Sequence, residues 1–213
     1  MTVQDAIKQA PNEPFSFSEE NVAEARRLIA KYPEGRQQSA VMGLLYLAQK
    51  QNNGWLSQPA LEHIAQFLGM PVIRVAEVAT FYTMYNLQPM GRHHVQVCTN
   101  LSCWLRGSDE IMDACRDALG IEIGGTTEDG GFTLSEVECL CACVNAPIVQ
   151  IDDDFYEDLT PESIRTILAE LRAGRAPKTG SHIGRTSSEP VGGLTTLTTT
   201  GTGPNGGPGR GDA

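Results

Sequence analysis

The chain alternates between two hydrophobic rhythms, helical in its first third and mixed from about residue 89 onward. Ser18 is placed to cap a first helix, with Glu19 and Glu20 in the opening turn against the positive end of its dipole. Phe17 and Val22 stand at the positions of a hydrophobic staple. Val22, Ala25, Leu28 and Ile29 form the buried stripe, and Tyr32-Pro33 closes the helix. A second helix is predicted over about 37–51, with Val41, Leu44, Leu45 and Ala48 at helical spacing. Ser57 caps a third bearing Leu61, Ile64, Ala65 and Leu68, with Gly69 just past its end. Pro71 opens a fourth as its first residue, running to about Tyr85 and apolar on more than one side.

Beyond Pro89-Met90-Gly91 the rhythm shortens. A strand over 93–98 leads into a cysteine loop, then a helix from Ser108 or Asp109 to Leu119, ended by Gly120. A polar turn over 126–131 precedes a strand over 132–138 and a second cysteine loop. Residues 148–151 and 155–159 flank Asp152-Asp153-Asp154 as a hairpin, and Thr160-Pro161-Glu162 starts the last helix, which ends at Gly174. This pattern predicts an α+β protein: an arm over 1–16, a helical bundle over 17–88, a compact α+β domain of thioredoxin size over 89–173, and a tail over 174–213. The tail is rich in Gly and Thr and has few large aliphatics, so apolar burial cannot offset its ordering entropy and disorder is expected. Arg210-Gly211-Asp212 within it is read as a chance tripeptide.

Charge narrows the function. A formal net charge of −10 is unsuited to neutralising phosphates, which argues against nucleic acid. LEHIAQFLGMPVIRVAEVATFY has the outline of a helix-turn-helix, yet its second helix offers only Arg74, Glu77 and Thr80 to a groove, and a packed helical hairpin is the better reading. No apolar run approaches the roughly 20 residues that span a bilayer. The N-terminal stretch lacks the marks of a secretory signal or transit peptide, so a cytosolic setting is expected. There, six cysteines read as ligands, buried thiols or redox groups before disulfides.

Four of those cysteines fall in two pairs, Cys98/Cys103 in VCTNLSCWLRGS and Cys139/Cys143 in VECLCACVNAP, each following a strand-like run. Strands ending side by side bring four thiolates to one rim, suited to tetrahedral zinc or to an iron–sulfur cluster. No C-x-x-C is present, which disfavours disulfide exchange. Loops of four and three residues are wider than usual zinc knuckles, and C-x4-C also opens the plant-type ferredoxin motif, whose third cysteine two residues on is missing here. The spacing favours 2Fe–2S and leaves zinc open. Cys115 lies on the apolar face of its helix and reads as a packed core thiol, while Cys141, if its segment stays extended, points away from Cys139 and Cys143. The Asp152–Asp154 run lacks the Gly and terminal Glu of a calcium loop. His93 and His94 read as strand residues with one side exposed.

GWLSQPALEHIAQFLGMP, VAEVATFYTMYNLQP, VCTNLSCWLRGS and VECLCACVNAPIVQI, which span about 17–173, together resemble the small, E-type 2Fe–2S subunits of NADH:quinone oxidoreductase, respiratory complex I. Subunits of NAD-linked hydrogenases and formate dehydrogenases are similar. The resemblance implies an N-terminal helical bundle and a thioredoxin-like ferredoxin domain in which Cys98, Cys103, Cys139 and Cys143 hold one 2Fe–2S cluster. It implies a chain that is not catalytic alone. Single electrons would come from FMN in a larger flavoprotein partner that binds NADH, and other peripheral-arm subunits would lie nearby. The expected setting is the cytoplasmic side of a bacterial inner membrane, without insertion. One departure stands out: Cys141 occupies a position usually held by glycine. No G-x-G-x-x-G fingerprint is present, consistent with NADH binding elsewhere. Two alternatives of other classes are a free-standing ferredoxin-like shuttle and a zinc-bound helix-turn-helix regulator.

Overall fold

The computed structural model describes residues 13–193, 195 and 196. Two compact units emerge, one reaching Arg92 and including 128–132, the other formed by 93–127 and the chain from Thr133.

The first unit contains α1 (Glu19–Ile29), a 3-10 turn over Gln37–Ala40, α2 (Val41–Gln51), α3 (Gln58–Leu68) and α4 (Val72–Phe81). Its helices begin where side-chain acceptors wait for free backbone donors. Ser18 accepts from Asn21 N–H and Ser57 from Ala60 N–H, caps worth about 1 kcal/mol each. Gly69 ends α3 in the left-handed conformation at φ 61°, which glycine adopts without a Cβ penalty. Ala25, Leu44, Leu45, Leu61, Ile64 and Val75 fill the core. Trp55 is buried. Pro71 precedes α4 as its extended cap residue and is not the first helical residue. The helix stops at Phe81, short of the predicted Tyr85, because Tyr82 turns extended and the Tyr85 hydroxyl instead donates to the Met42 carbonyl at 2.8 Å. Arg74 is paired with Glu77 one turn along, at 2.8 Å.

The arm is attached at its end. Phe15 meets Phe17 and His63 edge-on, and the Ser16 carbonyl accepts from Gln51 Nε2 at 2.8 Å. The remainder of the predicted arm, residues 1–12, lies outside the described residues.

The second unit is α+β. Strands β1 (His93–Cys98), β2 (Phe132–Val137), β3 (Val149–Ile151), β4 (Asp154–Glu157) and β5 (Gly180–Ser181) form one sheet in the order β2-β1-β3-β4-β5. β1/β3 and β3/β4 are antiparallel and β4/β5 is parallel. In β1 the alternation is as the sequence predicts, with Val95 and Val97 fully buried and His94 and Gln96 half-buried. The His94 ring meets the Ser135 hydroxyl at 2.9 Å, and the His93 ring meets Asp152 at 2.8 Å. Helices α5 (Leu101–Leu105), α6 (Ser108–Leu119) and α7 (Pro161–Arg172) complete the unit. α6 packs on both β1 and α7. α7 starts in a reciprocal capping box between Thr160 and Ser163.

Two expectations are corrected here. The first cysteine loop contains the short helix α5, capped by Asn100. The chain from Gly174 to Gly193, assigned above to a disordered tail, is folded: it supplies β5 and a buried ion pair between Arg185 and Asp158. Residue 194 and residues 197–213, with Arg210-Gly211-Asp212, lie outside the described residues.

Candidate metal centre

Cys98 ends β1, and Cys103 sits on α5 one turn past the Asn100 cap. Both are buried, at 1% exposure. Cys139 follows β2, and Cys143 opens a 3-10 turn over Cys143–Asn145; these two are exposed. The pairs are brought together by β1 and β2 being sheet neighbours. Polar ties from the first loop to the end of β2 and the residue just past it then fix them. Thr99 Oγ1 donates to Glu136 at 2.6 Å, and Asn100 Nδ2 donates to Glu138 at 2.9 Å. The Cys98 N–H donates to the Ile148 carbonyl at 3.2 Å. Leu140 and Ala142 of the second loop pack on Cys98, Cys103, Ala146 and Ile148, closing the inner side with apolar groups.

The sulfurs form two couples. Cys139 Sγ and Cys143 Sγ lie 3.3 Å apart. Burial and the hydrogen-bonded Cys98 thiol push Cys103 up to about 12. The Cys143 thiol is held up by its bond to Cys139 and eased by the Ser102 hydroxyl, so a first-loop residue reaches a second-loop ligand candidate. Cys139 is lowered, chiefly by the Cys141 backbone N–H, which donates to its sulfur at 3.3 Å. Among the described residues no three His, Cys, Asp or Glu side chains converge on a single-ion site. Two thiol couples side by side, one in an apolar wall and the other at the surface, match the donor set of a binuclear iron–sulfur cluster, in which each iron takes two cysteines. Soft thiolates with a backbone N–H aimed at sulfur fit that group well.

Cys141 adopts φ 63°, the left-handed region, so its segment is not extended as the alternation argument assumed. Its sulfur lies 3.7 Å from the Cys139 carbonyl and also bonds the Cys139 thiol, so it stands beside the outer couple. Cys115 is fully buried, and burial pushes its thiol up to about 12. The acceptors Glu136 and Glu138 carry no signal in the sequence, because their role appears only once β2 and the first cysteine loop are adjacent.

Paired cysteines on the rim of a small α+β unit define a cluster-binding protein of ferredoxin type. A model of the thioredoxin-like [2Fe-2S] ferredoxins matches residues 25–172. The NADH-quinone oxidoreductase E subunit of Rickettsia bellii is 56% identical over 158 residues, 74% of this chain and 95% of that protein. The mitochondrial NADH dehydrogenase [ubiquinone] flavoprotein 2 of Dictyostelium discoideum is 47% identical over 184 residues, 86% of this chain and 74% of that one. Among solved structures, an NAD+-reducing [NiFe]-hydrogenase in its air-oxidized state has a similar fold, with a TM-score of 0.54 at 20% identity over 61% of this chain and 23% of the hydrogenase chain. The chain therefore belongs to the thioredoxin-like [2Fe-2S] ferredoxin family, within the group of NADH-quinone oxidoreductase E subunits, and that family implies a [2Fe-2S] cluster.

No helix among the described residues is long and apolar enough to cross a membrane.

Proposed function

We propose that this chain is the electron-transferring E subunit of an NADH-quinone oxidoreductase, with Cys98, Cys103, Cys139 and Cys143 as the four ligands of one [2Fe-2S] cluster. The reading rests on one observation above the rest: β1 and β2 deliver two thiol couples to the same rim. When bound, the cluster supplies one-electron exchange. The chain's own part is to hold four thiolates together against their mutual repulsion. Leu140, Ala142 and Ile148 keep water from the inner couple, and the Cys141 N–H places a partial positive charge on the outer one. Hydrogen bonds of this kind to sulfur are a recognised control on reduction potential.

The electron source in this proposal is reduced FMN in a larger, NADH-binding flavoprotein subunit. Two features support a docked partner. Leu101, Trp104 and Leu105 on α5, beside Cys103, are exposed, as is Val144, beside Cys143. Large apolar groups gathered at one place on a surface mark interaction sites. The relatives at 56% and 47% identity are, respectively, an NADH-quinone oxidoreductase subunit and an NADH dehydrogenase [ubiquinone] flavoprotein. Other peripheral-arm subunits complete the setting, on the cytoplasmic side of a bacterial inner membrane.

The test is reconstitution of the full chain with iron and sulfide, followed by visible spectroscopy and electron paramagnetic resonance after reduction. The wild type is expected to give a two-iron, two-sulfide stoichiometry and a paramagnetic reduced state. Serine at any one of the four cysteines should bleach or shift that spectrum, while C115S leaves it intact. A colourless protein holding one zinc ion per chain would end the reading.

A further inference from the structure

The family match stops at residue 172, yet the chain folds back onto the site well beyond it. After α7, β5 pairs with β4, placing Tyr156 opposite Gly180 and Glu157 opposite Ser181. His182 N–H then donates to the Glu157 carbonyl at 3.0 Å. This turns Arg185 inward. Its side chain is 7% exposed and that of Asp158 is 5% exposed. The guanidinium grips the carboxylate with two nitrogens, Nε to Oδ2 at 3.0 Å and Nη2 to Oδ1. Ser181 Oγ donates to the same carboxylate at 2.7 Å.

The remaining guanidinium donors reach two backbone carbonyls. Nη1 donates to Glu189 and Nη2 to Val144, each at 3.0 Å. Val144 directly follows Cys143. A second tie lies one residue further, where Asn145 Nδ2 donates to the Ser187 carbonyl at 2.8 Å. Asp158 itself donates its backbone N–H to the Asn145 carbonyl at 2.7 Å. The 3-10 turn that carries Cys143 is thus held by Asp158 and by a strap over 180–189.

We propose that Arg185 is a positioning residue for the metal centre: its guanidinium, fixed on Asp158, clamps the Val144 carbonyl and so sets where Cys143 stands relative to Cys139. The inference rests on the ligand assignment proposed above. A planar fork is the right tool, because one group must bind a carboxylate and two carbonyls in fixed directions. A lysine keeps the charge beside Asp158 and loses the fork.

R185K in the full chain therefore tests the clamp without leaving a buried carboxylate unpaired. Hydrogen exchange on the metal-free protein is read for the amides of 142–146, and bleaching of the reconstituted protein is followed in an iron chelator. R185K is expected to speed both by about ten-fold, equivalent to about 1.4 kcal/mol, while amides of β1 and α7 keep their protection. N145A, which removes the other tie, should act in the same direction. Faster local exchange with unchanged bleaching would overturn the proposal, as would no change in either. Equal loss of protection across β1 and α7 would also overturn it, by showing a general loss of stability. A wild type that takes up no cluster would instead refute the ligand assignment, and the exchange data would still report whether the strap holds the turn.

Discussion

Replacing Cys141 by glycine separates the work of its backbone from that of its thiol. The residue stands at φ 63°, a conformation that costs an L-residue roughly 1–2 kcal/mol. Glycine escapes that cost but gives up about 0.5–1 kcal/mol through the greater freedom of its unfolded chain. The thiol contributes little in return, being exposed, with the Cys139 carbonyl at 3.7 Å and the Cys139 thiol as its partners. The interaction that matters to the site, the N–H donated to Cys139 Sγ at 3.3 Å, survives in C141G. The net expectation is a gain of about 0.5–1 kcal/mol, with the spectrum of the centre unchanged. At a denaturant slope of about 2 kcal/mol/M, the urea midpoint followed by cluster absorbance should rise by about 0.25–0.5 M. C141V, β-branched in the left-handed region, should shift the midpoint the other way. Loss of the spectrum in C141G would refute the reasoning, since it would make the Cys141 sulfur a ligand. A midpoint that falls with the spectrum intact would show that the backbone strain was misjudged.

Gly91 approaches the Phe132 backbone so closely that an added Cβ would lie 2.7 Å from its carbonyl carbon and 2.9 Å from its nitrogen. G91A should cost about 1–3 kcal/mol and lower the melting temperature by several degrees, and an unchanged melting curve would show that the approach is not tight. Cys115, with its thiol pushed up to about 12 by burial, should resist iodoacetamide in the folded metal-free chain while Cys141 is alkylated; equal labelling in peptide mapping would contradict the core assignment. His63 accepts the Phe17 N–H on Nε2 at 3.3 Å, and burial lowers its pKa below 6.5. As pH falls through 6.5 the unfolded chain takes up the proton first. Stability should therefore decline, the loss being complete once pH is below the folded value. H63Q should flatten that decline as pH falls from about 7.5, and an identical slope in urea titrations would exclude His63 as its source.

Local chemistry made much of this fold legible. Ser18, Ser57 and Thr160 cap the helices that follow them, and Gly69 and Gly120 end theirs in the left-handed conformation. These are signals contained within one turn of the residue that carries them. The cysteine pairs were legible because two strand-like runs each end at a cysteine. α5 was not, since five residues are too few for a hydrophobic period, and its only mark is Asn100 accepting from Leu101 N–H. The left-handed turn at Cys141 was hidden for a different reason: the glycine that usually advertises such a turn is absent.

The strap over 180–189 marks where reasoning from apolar content stops working. Counted by hydrophobic area alone, a Gly- and Thr-rich segment has too little to offset its ordering entropy and should stay disordered. Here order comes from polar groups satisfied elsewhere in the chain: a buried guanidinium whose partners are Asp158 and two carbonyls, and an asparagine that reaches the Ser187 carbonyl. A buried ion pair is weak evidence for stability by itself, because desolvation opposes the attraction. Its strength lies in direction, since removing either partner leaves a charge with nowhere to go, and so only one arrangement of the strap is tolerated. Exposed hydrogen bonds from Thr99 to Glu136 and from Asn100 to Glu138 add direction between the cysteine-bearing segments. None of these pairs has a period, a cap or a motif to announce it. Apart from the bond to the nearby Glu189 carbonyl, each joins residues at least 27 positions apart. Hydrophobic rhythm therefore builds the sheet that brings the thiol couples together, and long-range polar ties decide where each sulfur stands.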